Sequence, residues 1–203
     1  SAGYNSVEKL KNDFEEKLRI ADVYENLKKT ANGEIVSDNS KITFERYIMG
    51  SYFEQVLYYA NLRFSKMTGG RYEIVRGESR DKRISAGLEI SVRDNFNNKE
   101  RDISSLSGGE SFQASLALAL GLSDIIQQRN GGIRLDSIFI DEGFGSLDND
   151  SLASAIETLN DLTGNGNRLV GIISHISELK NSIGNKIEVI GTKSGSSIKI
   201  ITD

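Results

Sequence analysis

The segment SSLSGGESFQASLALALGLSDIIQQRNGGIRLDSIFIDEGFGSLD, from Ser104 to Asp148, decides the fold. Gly108 and Gly109 stand at the start of an apolar helical pattern, and a continuous apolar strand pattern then ends in Asp141 and Glu142. Apolar strands that alternate with helices are typical of a parallel sheet that is covered by helices on both faces. The segment therefore predicts an α/β architecture.

The composition is that of one soluble domain of ordinary size, with 203 residues, 37% hydrophobic and 27% charged. No apolar run reaches the roughly 18 residues that a membrane span needs, and no signal sequence precedes the helical pattern, so we expect a cytoplasmic protein without a membrane partner. The absence of cysteine and the single histidine exclude disulfides, thiolate metal sites and histidine-based zinc sites. Because the net charge is -4, any DNA contact must come from a local basic patch or another subunit.

Two helices are predicted before the central segment. The first spans Val7 to Ala31, with apolar residues spaced by three and four between charged ones. Its narrow stripe is typical of a coiled coil, although an amphipathic helix lying on its own domain has the same period. The second spans Phe44 to Thr68. The chain starts at Ser1 without a methionine, so we expect it to be part of a longer protein.

Strands are predicted on both sides of the central segment, and two further helices are predicted after it. The basic residues of 76–83 could contact a phosphate backbone, but the acids among them also favour a solvated loop. After the segment, a helix should follow Asp148, and the apolar strand after it should end near the sole histidine, His175. The predicted strands are 72–76, 88–93, 135–142, 169–174, 186–192 and 197–202; the predicted helices are 149–163 and a short helix after His175.

Asp141 and Glu142 are adjacent carboxylates at the end of an apolar strand. Ligand sites of α/β sheets lie at the carboxyl ends of the strands. In nucleotide hydrolases, one such acid holds Mg²⁺ while its neighbour orients the attacking water. The same pattern also occurs where a strand merely exits into solvent.

The Gly108-Gly109 pair opens a helix whose first N–H groups are uncovered by side chains, as phosphate binding requires. Ser107 and Glu110 also satisfy the spacing of a capping box, in which each side chain bonds the other's backbone N–H. The two interpretations are compatible, because a capped helix start presents the amides that a phosphate would use. Considered in isolation, Asp148 is predicted to be the N-cap of the following helix.

The order of these features resembles the C-terminal half of an ABC-type ATPase head. The signature motif would be 106–110, the Walker B strand 138–142, the D-loop 146–148 and the switch histidine His175. The stretches KMTGGRYEI, SFQASLALALGLSDIIQ and FIDEGFGSLD are similar to the SbcC family, the SMC-like ATPases of SbcCD nucleases. ABC transporters usually carry Gln where Glu110 stands, whereas SMC proteins and RecN are closer relatives.

No stretch reads G-x-x-x-x-G-K-[ST], the phosphate-binding P-loop. In the SbcC family this loop lies in an N-terminal half, beyond a long antiparallel coiled coil. The resemblance therefore implies a coiled-coil base helix at 1–32 and a C-terminal ABC ATPase lobe at 33–203. In that lobe a mostly parallel sheet would be flanked by helices.

The resemblance implies ATP and Mg²⁺ as cofactors, both requiring the P-loop half. Glu142 would polarise the hydrolytic water, Asp141 would belong to the Mg²⁺ shell, and His175 would contact the γ-phosphate. A second group of residues would face the nucleotide bound to the opposing head. These residues are Ser107, Gly108, Gly109, Glu110 and Asp148. By itself the chain should be inactive.

The partners implied are the N-terminal half of the same head, a second copy, an SbcD-like metal-dependent nuclease and double-stranded DNA. The expected function is ATP-driven head dimerisation that gates the nuclease in DNA repair and recombination. The alternative is an SMC- or RecN-like structural clamp without a nuclease, and a transporter ATPase is a more distant possibility.

Overall fold

A computed structural model describes residues 2–34, 42–77, 88–129, 135–166, 168–192 and 195–202. Arg80, Lys82 and Arg83, three of the cations considered for phosphate contact, lie outside these residues. The chain divides into two compact units, which are described separately. One comprises Ser1–Glu54 with Arg76–Ile90, and the other comprises Gln55–Val75 with Ser91–Asp203.

The first unit contains helix α1 (Ala2–Ala31) and the beginning of helix α2 (Phe44–Met67). Both predicted helices are confirmed. The apolar stripe of α1 is exposed along its length within this chain. Gly33 ends α1 at a φ of +70°, where a Cβ atom would lie 2.6 Å from the Ile42 carbonyl oxygen. Only glycine combines that conformation with so close a backbone approach.

The core of the second unit lies between the end of α2, helix α3 (Gly108–Arg129) and helix α4 (Asn149–Gly166). Helices α2 and α3 approach closely at Gly121, where a Cβ atom would lie 2.7 Å from both the Val56 carbonyl oxygen and the Ala60 nitrogen. The helix start at Gly108 and the helix after Asp148 are as the sequence predicts.

A buried ion cluster joins three parts of this unit. Asp124 of α3 accepts from Arg63 of α2 at 2.7 Å and from Arg168 at 3.0 Å. All three side chains are at least four-fifths buried, with exposed fractions of 13 to 19%. The signature-bearing helix is therefore tied to α2 and to the segment that leads toward His175.

Strands β1 (Tyr72–Arg76), β2 (Ile90–Asp94) and β3 (Lys99–Asp102) form one sheet in that order. Strands β2 and β3 are antiparallel, with Val92 opposite Arg101. Strand β3, KERD, was not predicted, because a charged tetrapeptide shows no apolar alternation.

Strands β4 (Ser137–Asp141) and β5 (Leu169–Ile173) pair in parallel, with Ile138 opposite Val170. Between β4 and α4 lies a 3₁₀ turn at Phe144–Ser146. After the short helix α5 (Ser177–Ser182), strands β6 (Lys186–Thr192) and β7 (Gly195–Ile201) form an antiparallel hairpin. The parallel pairing expected of an α/β lobe is thus present, while the antiparallel strands form separate sheets.

The expected burial of the β4 strand is wrong for this chain by itself. Phe139, Leu169 and Ile173 are 70%, 65% and 56% exposed. The β6–β7 hairpin also exposes five large aliphatic side chains, those of Ile187, Val189, Ile190, Ile198 and Ile200. Apolar side chains on a strand indicate that the strand is suited to burial under other elements. The described part of this chain leaves these side chains largely exposed. Among the described helices, none has the length and apolar character needed to cross a bilayer.

Candidate nucleotide site

The carboxyl ends of β4 and β5 bring two predicted catalytic residues together. Asp141 is the last residue of β4, and the N–H of the next residue, Glu142, donates to the Ile173 carbonyl at 3.0 Å. His175 follows β5, and its Nδ1 lies 3.2 Å from Glu142 Oε1 and 3.0 Å from Oε2. Both side chains are accessible, at 53% for Glu142 and 81% for His175. An imidazole and two carboxylates thus border open space.

The backbone at Glu142 is left-handed. Its φ is +60°, and Gly143 follows at +100°. For a residue with a Cβ atom this conformation costs about 1 kcal/mol or more. Sequence reasoning missed this feature, although a glycine directly after the acidic pair was the available signal for it.

Phe112, from the first turns of α3, contacts this turn and was also missed as a site residue. A Cβ atom on Gly143 would lie 2.3 Å from Phe112 Cε2. The Phe112 ring meets the buried Phe144 ring edge to face, with centroids 4.8 Å apart. In the sequence, Phe112 is only one of several apolar positions on its helix.

The signature residues form the predicted capping box. The Ser107 N–H donates to Glu110 Oε2 at 2.9 Å, and the Glu110 N–H donates to Ser107 Oγ at 3.3 Å. Gly108 begins α3, and a Cβ atom on Gly109 would lie 2.8 Å from the Ser146 carbonyl oxygen. The helix start is therefore capped and packs directly on the 3₁₀ turn before Asp148.

Residues of the three-stranded sheet also interact with the Glu110 carboxylate. The buried Tyr72 hydroxyl bonds its carboxylate, and Arg101 Nη2 donates to that hydroxyl at 3.1 Å. Burial opposes ionisation of Glu110, but bonds from Ser107 and Tyr72 and the Arg101 charge outweigh it and lower its pKa. Burial and the neighbouring carboxylate raise the pKa of Tyr72. The carboxylate is thus kept as an anionic acceptor.

Asp148 caps α4 as predicted. The Ser151 N–H donates to Asp148 Oδ1 at 2.8 Å, and bonds from Ser151 lower the pKa of Asp148. Asp148 shares with Ser107, Gly109 and Glu110 a polar cleft of about 420 Å³ that Arg71 also lines. Four of the predicted site residues thus border one cleft, and Glu142 and His175 are not among its lining residues.

The donor chemistry fits part of a magnesium site. Among the described residues, no group of three or more potential metal-binding side chains converges. Mg²⁺ is often held by only one or two carboxylates together with phosphate oxygens. Asp141 is the carboxylate that the sequence predicts for the Mg²⁺ shell, and the other ligands would have to come with a nucleotide and its P-loop.

Comparison with known proteins agrees with the motif order. Residues 78–161 match the family model described as SbcC/RAD50-like, Walker B motif. The chain is 49% identical over 173 residues, or 85% of its length, to the SbcC subunit of the SbcCD nuclease of Vibrio cholerae. It is 56% identical over 149 residues, or 73% of its length, to the same subunit of Staphylococcus epidermidis.

The chain spans only 17% and 15% of the lengths of these two relatives. Among solved structures, it is similar to an Smc head bound to the C-terminal winged-helix domain of ScpA. The TM-score is 0.58 at 18% identity, covering 81% of this chain and 48% of that one. The resemblance to the SbcC family and the fold class of an ABC-type ATPase lobe are thereby confirmed.

Proposed function

We propose, since this chain belongs to the SbcC family, that it supplies half of an ATP-hydrolysing site. ATP-driven pairing of two such heads would gate an SbcD-like metal-dependent nuclease on double-stranded DNA, in the cytoplasm, during repair and recombination. The observation that carries the proposal is the Glu142–His175 pair at the carboxyl ends of two parallel strands. In phosphoryl transfer, groups of these two kinds orient the attacking water and contact the γ-phosphate oxygens.

On its own head, Glu142 would accept a hydrogen bond from the attacking water and orient it toward the γ-phosphate. His175 would donate to a γ-phosphate oxygen while its Nδ1 faces Glu142. Asp141 would hold Mg²⁺, which when bound neutralises phosphate charge. Each role requires an accessible side chain at the strand ends, and all three residues are exposed there.

The signature and D-loop residues would serve a second head. Ser107, Gly108 and Gly109 lie at the capped start of a 22-residue helix, where backbone N–H groups favour a phosphate. Ser107 and Gly109 border a cleft that Glu142 and His175 do not line, which supports a role toward a different nucleotide. Asp148 would line the interface between the heads, and Glu110 would keep the signature turn in shape.

The P-loop would come from an N-terminal lobe that packs on the exposed apolar side chains of β4 and β5. Phe139, Leu169 and Ile173 project from the β4–β5 pair without cover in the described chain. Burial of one such side chain is worth about 1.5–3 kcal/mol, so a matching lobe would bind strongly. The exposed stripe of α1 supports, in the same way, a coiled-coil base at 1–32 with 33–203 as the lobe.

The alternative is an SMC-like clamp without a nuclease. Its support is the likeness to Smc heads, but at 18% identity this speaks only for the fold. Identity of 49 to 56% to subunits of SbcCD nucleases favours the nuclease-linked function.

The decisive test substitutes Glu142→Gln in a complete head, with the P-loop lobe present. This change removes the charge that orients water but leaves the phosphate contacts, so ATP should bind without being hydrolysed and closed dimers should accumulate. Analytical ultracentrifugation with and without ATP measures this. Equal dimerisation in the two conditions contradicts the proposal.

A second test uses the 203-residue chain by itself. Without a P-loop it should release no phosphate from ATP above the buffer rate, whereas addition of the matching N-terminal lobe should restore turnover. Robust hydrolysis by the isolated chain would mean that the site is divided differently.

A third test examines the exposed apolar face of β4 and β5. Phe139→Asp changes a side chain that is mostly exposed, so the isolated chain should keep its stability while association with the N-terminal lobe falls at least about tenfold. Tyr4→Asp is the matched control, because it changes a similarly exposed aromatic on α1, in the other unit. Equal lobe affinity for both variants would contradict lobe docking on β4–β5.

A further inference from the structure

The turn that carries Glu142 is in contact with the helix that carries the signature motif. Gly143 packs so closely against Phe112 that a Cβ atom would overlap two ring carbons, at 2.3 Å from Cε2 and 2.5 Å from Cδ2. The ring cannot easily withdraw, because Phe144 lies against it with its own side chain buried. Phe112 therefore fills the space beside Gly143, where no side chain could be accommodated.

The same turn has an unusual backbone that needs support. Glu142 is one of two residues other than glycine with a positive φ among the described residues, and the following Gly143 continues the left-handed path. Such a conformation persists only where surrounding contacts hold it. Two contacts do so besides Phe112: the Glu142 N–H bonds the Ile173 carbonyl, and Ser146 Oγ donates to the Gly143 carbonyl at 3.1 Å.

We propose that Phe112 is a positioning residue for Glu142. By filling the space beside Gly143, its ring holds the left-handed turn that directs the Glu142 carboxylate to His175, 3.0 Å away. The inference rests on the proposed role of Glu142 in orienting water. It adds that the signature helix, which would face the nucleotide of the opposing head, also sets the position of the water-orienting carboxylate on its own head.

The coupling has a simple physical path. Phe112 lies one turn after the signature glycines, and Gly109 packs on the Ser146 carbonyl at the far end of the same 3₁₀ turn. A shift of the α3 start would therefore move the Phe112 ring and press on Gly143. A misplacement of about 1 Å at a catalytic group can reduce turnover by up to about a hundredfold.

The first experiment reads the Glu142–His175 contact directly in the 203-residue chain. His175 is the sole histidine, so its imidazole ¹H–¹³C signals are assigned without ambiguity. Phe112→Ala should move these signals toward their positions in the Glu142→Gln variant. Phe112→Leu keeps carbons at the two Cδ positions but loses Cε2, so it should move the signals less than Phe112→Ala. Leu116→Ala is the control, because it removes a buried side chain from the same helix, one turn beyond Phe112.

The inference is overturned if Phe112→Ala leaves the His175 signals unchanged while Glu142→Gln moves them. It is also overturned if Leu116→Ala moves them as much as Phe112→Ala, since loosening of the helix would then explain both. Failure of Glu142→Gln itself to move the signals would remove the contact on which the inference depends. If Phe112→Ala does not fold, the Leu variant supplies the same comparison.

The second experiment separates this inference from the proposed function by measuring ATP turnover in a complete head. Phe112→Ala should lower kcat about tenfold or more with KM nearly unchanged, and Phe112→Leu should recover part of the loss. If Glu142→Gln abolishes turnover while Phe112→Ala keeps the parent kcat, only the positioning role fails. If the Glu142→Gln head hydrolyses ATP normally, the proposed function fails, whatever the imidazole signals show.

Discussion

Replacement of Asp124 by alanine should destabilise the second unit severely. Asp124 is the carboxylate that pairs with both Arg63 and Arg168, at 2.7 and 3.0 Å. Its removal would leave two arginines at least four-fifths buried without this counter-charge. The fold would then retain their desolvation cost without the attraction that offsets it.

The expected loss follows from that burial. Breaking a buried ion pair by removal of one partner costs about 3–5 kcal/mol. With a urea dependence of about 2 kcal/mol per molar, the unfolding midpoint should fall by roughly 1.5–2.5 M. Near-ultraviolet circular dichroism is a suitable assay, because it reports the environment of buried Tyr72 in the same unit.

Glu157→Ala is the matched control. Glu157 is 66% exposed, and its partner Lys66 keeps a second carboxylate, Asp161, at 2.8 Å. Since exposed pairs contribute little, this midpoint should remain near the parent value. If Asp124→Ala lowers the unfolding midpoint no more than Glu157→Ala does, the reasoning that burial makes the Asp124 ion pairs costly to break is refuted.

Two further stability predictions follow from the site and the core. The lowered pKa of Glu110 means that its ionised form stabilises the fold above its unfolded-state pKa, and that this contribution is lost as pH falls through the folded-state pKa. The stability difference between the parent and Glu110→Gln should therefore be largest at neutral pH and vanish in acid, and a difference that grows on acidification contradicts the assignment. Gly121→Ala should lower the free energy of unfolding by about 1–3 kcal/mol, because its Cβ atom would strike the α2 backbone at 2.7 Å. At Gly164 the new methyl group would have no atom within 4 Å beyond the adjacent residues and backbone of its own helix, so Gly164→Ala should be neutral or stabilising by up to about 1 kcal/mol. Equal effects of the two substitutions in thermal melts would contradict this account of the α2–α3 contact.

Several site features were predictable because they depend on neighbours in sequence. Ser107 and Glu110 form a capping box, and Asp148 caps α4, as their spacing predicts. The meeting of Glu142 with His175 follows from parallel pairing, since the carboxyl ends of neighbouring strands lie at one edge of a sheet. Their catalytic roles stay predictions.

Other features depend on residues that the fold brings together. The Arg101–Tyr72 bond joins residues 29 positions apart, and Arg101 belongs to a strand that the sequence did not predict. Phe112 looks like any apolar helix residue until its ring is found against Gly143. The burial of β4 was mispredicted, because an apolar pattern reports the environment for which a strand is suited, not the one that this chain provides.

The sequence by itself determined the helices, most strands, the capped signature start and the order of the motifs, because each arises from local periodicity, caps or turn residues. Only the tertiary structure decided that Glu142 and His175 do not line the cleft of Ser107 and Asp148. Only it revealed the strained turn at Glu142 and the ring that supports it. The physical reason is that these arrangements depend on contacts between distant residues, which no local pattern encodes.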